Sequence, residues 1–150
     1  MNSYDIQREE LTKDLYDEIE PMFEDYHEEV QTNGQRLNPS FNIYSITADN
    51  GYLGLYTIRF GEEVVGFLTV VCGEDQHCEH HMIANHDLMF VKKDHRSYKL
   101  FKRLLSFVET DLKGLGVNGL HMGCTLKKDL SPLYERSGYE LTEYKYYKEL

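Results

Sequence analysis

The 150-residue chain contains no tryptophan, only three prolines and only three cysteines. Three thiols cannot complete a disulfide framework, so free cysteines in a reducing, cytoplasmic setting are expected. No stretch approaches the ~20 consecutive apolar residues of a membrane span. The start, Met1-Asn2-Ser3-Tyr4-Asp5, lacks the basic and apolar regions of a secretory leader. Internal repeats, low-complexity tracts and linkers rich in Pro, Gly and Ser are also missing, which leaves one domain over residues 1–150. Positive charge is scarce: 16 Lys and Arg face 26 Asp and Glu, a net charge of −10. Duplex nucleic acid and anionic membranes would be repelled by that balance. What the chain does have is 41% hydrophobic and 13% aromatic residues, enough to build a core.

The apolar pattern predicts the elements. Leu11, Leu15, Ile19, Met22, Tyr26 and Val30 fall at helical spacing, so one helical region is expected over 11–30, kinked or divided at Pro21 and ended by Asn33-Gly34. A loop continues through Asn50. Tyr52–Phe60 and Val64–Val71, joined by Gly61-Glu62, read as an antiparallel hairpin. A polar loop from Gly73 leads to a strand over Met82–Val91. Ser97–Lys113 is helical, with Leu100, Phe101, Leu104, Leu105, Val108 and Leu112 on its apolar face. A strand over Val117–Met122, a short helix over Leu130–Ser137 and a tyrosine-rich strand over Tyr139–Tyr147 complete the order. Antiparallel strands followed by alternating helices and strands imply an α/β (α+β mixed-sheet) fold with helices on both faces.

The charge is unevenly placed. Residues 1–30 hold eleven acids against two bases, nearly the whole of the net charge. Between Lys92 and Arg103, six bases stand against one acid. That basic run opens a helix, where unpaired backbone N–H groups and the helix dipole favour anions, and Ser97 is a suitable N-cap. A phosphate cradle and a solvated helix face with lysines both account for it.

Leu133-Tyr134-Glu135-Arg136-Ser137-Gly138-Tyr139 resembles the C-terminal motif of the GCN5-related N-acetyltransferases. Asp87–Val91, followed by Arg96, resembles that superfamily's fourth strand and acetyl-CoA loop. Gly66 among apolar residues fits its third strand. The ending Glu143–Leu150 resembles the last strand of short stand-alone members, including bacteriophage ones. The resemblance implies a mostly antiparallel sheet whose fourth and fifth strands splay apart. The pantetheine arm of acetyl-CoA would lie in that gap against Met89, Phe90 and Val91. Its pyrophosphate would rest on Arg96, Ser97, Tyr98, Lys99, Leu100, Phe101 and Lys102. Tyr134 would aim its hydroxyl at the cofactor sulfur as general acid. The loop departs from the family pattern, because Lys99 and Phe101 stand where small residues are usual and where a side chain obstructs phosphate.

The implied activity is transfer of an acetyl group from acetyl-CoA to a primary amine of a small molecule or protein, without a metal. Asp87 is the first candidate for general base and His86 the second; strand alternation lets only one of them face the cleft. His121 either lines the same gap or is a satisfied core histidine. The acidic first helix would suit a cationic acceptor. The alternative is a catalytically inactive protein of the same fold, for instance a phage factor engaging a basic host partner. Cys72, His77, Cys78, His80 and His81 cluster near one loop, but their spacing matches no standard zinc pattern. Cys124 has no base beside it in sequence that would make it a nucleophile. The last strand, as a sheet edge, offers a surface for a homodimer.

Overall fold

The computed structural model describes residues 3–31, 34 and 36–150. Five strands, β1 (Tyr4–Arg8), β2 (Leu53–Phe60), β3 (Glu63–Glu74), β4 (Met82–Val91) and β5 (Gly119–His121), lie side by side in sequence order. β1 to β4 are antiparallel; β5 joins β4 in parallel. The helices are α1 (Lys13–Ile19), α2 (Pro21–Val30), α3 (Phe41–Asp49), α4 (Tyr98–Gly114) and α5 (Ser131–Arg136), with a 3-10 turn at Lys93–His95.

Both faces of the sheet are covered, which explains why β3 is buried without a break from Val64 to Val70. On one face Tyr56, Ile58, Val65, Leu68, Val70 and Ala84 pack under Leu100, Leu104, Leu105, Val108 and Leu112 of α4 and Tyr134 of α5. On the other, Leu55, Val64, Phe67 and Phe90 pack under Leu15, Tyr16 and Ile19 of α1 and Met22 and Phe23 of α2. Gly66 lets β3 and β4 approach: a Cβ there would lie 2.9 Å from the Phe90 carbonyl oxygen.

Several boundaries differ from the sequence reading. The first helical region is two helices that share Glu20 as a cap, and Pro21 opens α2, where a missing N–H costs nothing. α2 stops at Val30, before Gly34; Asn33 lies outside the described residues. β1 was not expected, because Ile6 is its single buried residue. α3 sits inside the presumed loop: Ser40 caps it by accepting from the Ile43 N–H, and none of its residues is buried. The strand expected over Tyr139–Tyr147 does not form; every residue from Glu140 to Leu150 is exposed and belongs to no element. β5 is only three residues long and, among the described residues, makes no pairing beyond β4.

Candidate active site

Two irregularities in β4 create a cleft. The first is a divergence. β5 pairs with β4 only through Ile83, Ala84 and Asn85, opposite Gly119, Leu120 and His121. From His86 to Val91, β4 continues without β5 beside it, and the space is bounded instead by the start of α4 and the segment 123–133. The opening is a cavity of about 510 Å³. The second is a bulge. Thr69 faces Leu88 and Val70 faces His86, so Asp87 is an extra residue on β4. An inserted residue breaks strict alternation. His86 and Asp87 therefore both line the cleft, where alternation allowed one.

Their environments differ. Asp87 is exposed, and its Oδ2 accepts from the Tyr44 hydroxyl at 3.0 Å and from Thr69 Oγ1 at 3.1 Å. Thr69 in turn accepts from the Leu88 N–H, so the carboxylate is held from α3 and β3 together. Burial, then the Asp87 charge, raises the phenol pKa of both Tyr26 and Tyr44, and both keep their protons. His86 accepts from the Gly123 N–H at Nδ1, 3.3 Å. Nε2 then carries the proton, and that buried atom has no partner among the described residues. Burial, against a weaker pull from Asp87, pushes the imidazole pKa down to about 4. It is neutral at physiological pH.

Tyr134 stands at the end of this chain of contacts. Its hydroxyl donates to the Gly123 carbonyl at 3.0 Å, and its ring packs between Phe101 and Tyr139 at centroid distances of 5.9 and 5.8 Å. Burial, followed by the neighbouring Cys124, raises its pKa well above that of an ordinary phenol. Gly138, at φ 87°, ends α5 and turns the chain so that Tyr139 donates to the Tyr134 carbonyl. The sequence motif around Tyr134 is thus a short helix with a glycine stop that presses one phenol against the segment bordering the cleft.

At the start of α4, Ser97 is the N-cap and its Oγ accepts from the Leu100 N–H. The basic run does not converge on one point. Arg96 donates to the Val91 carbonyl and grips Glu29 of α2 through two bonds of 2.8 and 3.0 Å. Lys128 reaches the same carboxylate at 3.8 Å. Lys92 pairs with Glu63, Arg103 donates to the Tyr4 carbonyl, and Lys102 lies over the Tyr98 ring.

Of the residues expected to hold acetyl-CoA, Met89, Phe90, Val91, Arg96, Ser97, Tyr98, Leu100 and Phe101 line the cleft, whereas Lys99 and Lys102 are exposed outside it. Phe101, in a position usually held by a small residue, turns its ring to Tyr134. Tyr134 itself backs the cleft through Gly123. His121 is exposed on β5 and not among the cleft residues, so it is neither a buried core histidine nor part of the gap. Sequence reasoning missed Tyr26, Glu29, Gly123, Thr125 and Lys128 in the lining, as well as Tyr44 behind Asp87. Among them only Glu29 carried a signal, as part of the acidic run. The three cysteines are free. Among the described residues no group of three or more His, Cys, Asp or Glu is placed to hold a metal ion, and no helix is long and apolar enough to cross a membrane.

No family model and no curated protein matches the chain. Solved structures do. An aminoglycoside acetyltransferase from an uncultured soil metagenomic sample, in complex with sisomicin, superposes with a TM-score of 0.75 at 16% identity, over 98% of this chain and 96% of that one. Glucosamine-6-phosphate N-acetyltransferase from Arabidopsis thaliana gives 0.71 at 13% identity, over 98% of each chain. A predicted acetyltransferase from Clostridium acetobutylicum, solved with acetyl-CoA, gives 0.72 at 10% identity, over 98% of this chain and 96% of that one. At these identities the likeness is one of fold, and the fold is that of the GCN5-related N-acetyltransferases.

Proposed function

We propose that residues 1–150 form one N-acetyltransferase domain that moves an acetyl group from acetyl-CoA to a primary amine. The observation that carries this reading is the cleft itself: about 510 Å³ between β4, the N-terminus of α4 and the 123–133 segment, in a fold shared with a structure solved with acetyl-CoA. Along Met89–Val91 the strand edge has no strand beside it and would pair with the amides of a pantetheine arm, the Val91 carbonyl also accepting from Arg96 Nε. The N–H groups that open α4 would serve a pyrophosphate in the cleft, where the helix dipole favours an anion.

In the reaction the neutral amine nitrogen attacks the thioester carbonyl carbon. A C–N bond forms, the C–S bond breaks, and the electron pair leaves on sulfur. Asp87 takes the amine proton. Its carboxylate is fixed by Tyr44 and Thr69, both on Oδ2. His86 suits this role less well, because its one lone pair is already taken by the Gly123 N–H. Tyr134 hydrogen-bonds the departing sulfur, exchanging its Gly123 partner for it. Outright proton transfer from a phenol above 10 to a thiolate of about 8.5 runs uphill, so the hydroxyl stabilises the thiolate rather than protonating it.

The acceptor class follows from the Asp87 corner. A carboxylate flanked by two protonated phenols, Tyr26 and Tyr44, attracts a cationic amine through charge and ring faces together. The net charge of −10 favours the same class and opposes nucleic acid. Three free cysteines fit a reducing, cytoplasmic setting. A second reading, acetyl-CoA binding or partner binding without turnover, draws on one contact: Glu29 pairs with Arg96 in the cleft wall and offsets its charge, and Lys99 is outside the cleft.

Thermal melting with acetyl-CoA, with CoA and with zinc, followed by mass spectrometry of a panel of cationic amines, tests both. Ligand at ~100 times its Kd stabilises the native state by about 2.7 kcal/mol, a clear rise in Tm. A rise with acetyl-CoA and a mass gain of one acetyl group on an amine is the expected result. A rise without product supports the second reading. No rise at millimolar acetyl-CoA refutes the proposal.

A further inference from the structure

Arg96 brings a positive charge into the cleft wall, and that charge already has an anion. The guanidinium is seated from two sides. Its Nε donates to the Val91 carbonyl at 2.7 Å, and its Cζ lies 5.3 Å from the centroid of the buried Phe90 ring. Nη2 is left for Glu29 and donates to both carboxylate oxygens, at 2.8 and 3.0 Å. Lys128, from the 123–133 segment, reaches the same carboxylate at 3.8 Å. Its neighbour Lys127 donates to the Glu28 carbonyl. The end of α2 is therefore tied across the cleft to the start of α4 and to the segment 127–128, and Glu29, Arg96 and Lys128 all line the opening.

Two cations around one carboxylate make an anion site with a resident anion. The Glu29 side chain is only 17% exposed, so its pairing is held at the wall and not out in bulk water. A carboxylate and a phosphate offer a guanidinium the same feature, two oxygens on one centre. A diphosphate ester carries a negative charge on each phosphate. Arg96 and Lys128 can balance that group or Glu29, but both together would set like charges a few ångströms apart. The anions must exchange. Losing Glu29 does not unseat Arg96, because Val91 and Phe90 hold it independently. Glu29 also stands three residues after Tyr26, so the two share a face of α2, and both line the cleft that holds Asp87.

We infer that Glu29 is a built-in competitor for the cofactor's diphosphate: it holds Arg96 and Lys128 in the unliganded chain, the diphosphate displaces it, and the last turn of α2 is released beside the Asp87 corner. The inference rests on the acetyl-CoA reading and adds a latch to it, in which the chain's own carboxylate opposes the cofactor and its departure loosens the helix that carries Tyr26. If the latched state holds about nine chains in ten, the apparent Kd for acetyl-CoA is about tenfold weaker than the intrinsic one.

Calorimetric titration of acetyl-CoA into the wild type, Glu29→Gln and Glu24→Gln tests it. Glu24 is exposed on the same helix and is not among the cleft residues, so its variant makes the same change in net charge and leaves the latch in place. Glu29→Gln is expected to bind about tenfold more tightly than the wild type, and Glu24→Gln like the wild type. Equal or weaker binding by Glu29→Gln overturns the inference and leaves the acetyltransferase reading standing, since the wild type still binds. Tightening of the same size in Glu24→Gln overturns it as well, because bulk charge would then be the cause. If neither the wild type nor Glu29→Gln binds, the reading and the inference fall together. Hydrogen exchange reads the release in the wild type itself: amides of residues 27–30 should exchange faster with acetyl-CoA bound, against the usual slowing by a ligand. Slower exchange there refutes the release of α2.

Discussion

Tyr134→Phe separates a catalytic hydroxyl from a structural one. The substitution removes one oxygen and leaves the ring between Phe101 and Tyr139. Its structural effect is set by one bond, Tyr134 to the Gly123 carbonyl at 3.0 Å. Gly123 is exposed, so water can replace the lost donor, and the loss belongs near the ordinary hydrogen-bond value of about 1 kcal/mol. For a chain of this length that lowers Tm by roughly 2–4 °C. The catalytic effect is larger if the hydroxyl moves to the sulfur. A donor to a charged acceptor is worth about 1.5–3 kcal/mol, which lowers kcat by roughly 10- to 100-fold. The ground-state thioester sulfur is a weak acceptor, so the Kd for acetyl-CoA should stay the same. Burial holds the phenol above its ordinary range, so the wild-type rate should show no alkaline fall from Tyr134 ionisation. Calorimetric titration with acetyl-CoA, steady-state rates and a thermal melt read the three quantities separately. A lowered Tm with kcat unchanged would mean that Tyr134 only ties α5 to the cleft wall. Equal losses in affinity and rate would mean that it shapes the binding site.

Asp87→Asn should reduce kcat by about 10²-fold or more with the Kd for acetyl-CoA unchanged, and raising the pH should restore part of the rate because the amine then arrives deprotonated; a rate independent of the substitution rules Asp87 out as the base. His86→Asn reads the buried imidazole. Its native pKa, about 4, lies below the ordinary 6.5, so the unfolded chain binds the extra proton and wild-type stability falls as pH drops through that window. Chemical denaturation should show about 2 kcal/mol lost between pH 7 and 5 in the wild type beyond the loss in the variant; equal slopes would place the histidine in water. Gly66→Ala sets a methyl 2.9 Å from the Phe90 carbonyl and 3.0 Å from Val91 Cγ2. Pushing β4 outward should cost about 1–3 kcal/mol of stability, and acetyl-CoA affinity should fall with it; an unchanged affinity would mean that the Phe90–Val91 backbone does not hold the cofactor.

Legibility in the sequence follows how each element earns its burial. α4 was readable because Leu100, Leu104, Leu105, Val108 and Leu112 repeat at helical spacing and Ser97 caps them. The β2–β3 hairpin was readable from two apolar runs around Gly61-Glu62. α3 was not, because no stripe on it is buried; Ile43 and Ile46 are 67% and 61% exposed. Phe41 and Tyr44 hold it instead, through ring contacts to Tyr16 and Phe23 that no local pattern encodes. Arg96, a phosphate ligand by the family resemblance, lines the cleft and is paired to Glu29, 67 residues away. Such pairings are tertiary, and charge counting along the chain cannot find them.

The sharpest gap between pattern and site is at His86 and Asp87. Period-two reasoning assigns adjacent residues to opposite faces, and only an inserted residue overrides it. The bulge that brings both into the cleft lies at the point where β4 loses β5, and the two features need each other. A continuous β5 would cover the Asp87 corner, and a regular β4 would turn one of the two side chains away. Along the wall beyond β5, a single residue makes the link: the Gly123 N–H binds His86 of β4 and the Gly123 carbonyl binds Tyr134 of α5. One residue without a side chain thus links the strand that carries His86 and Asp87 to the helix that carries Tyr134. Moving Gly123 would disturb both groups together, so substitutions there should alter catalysis more than either bond alone accounts for.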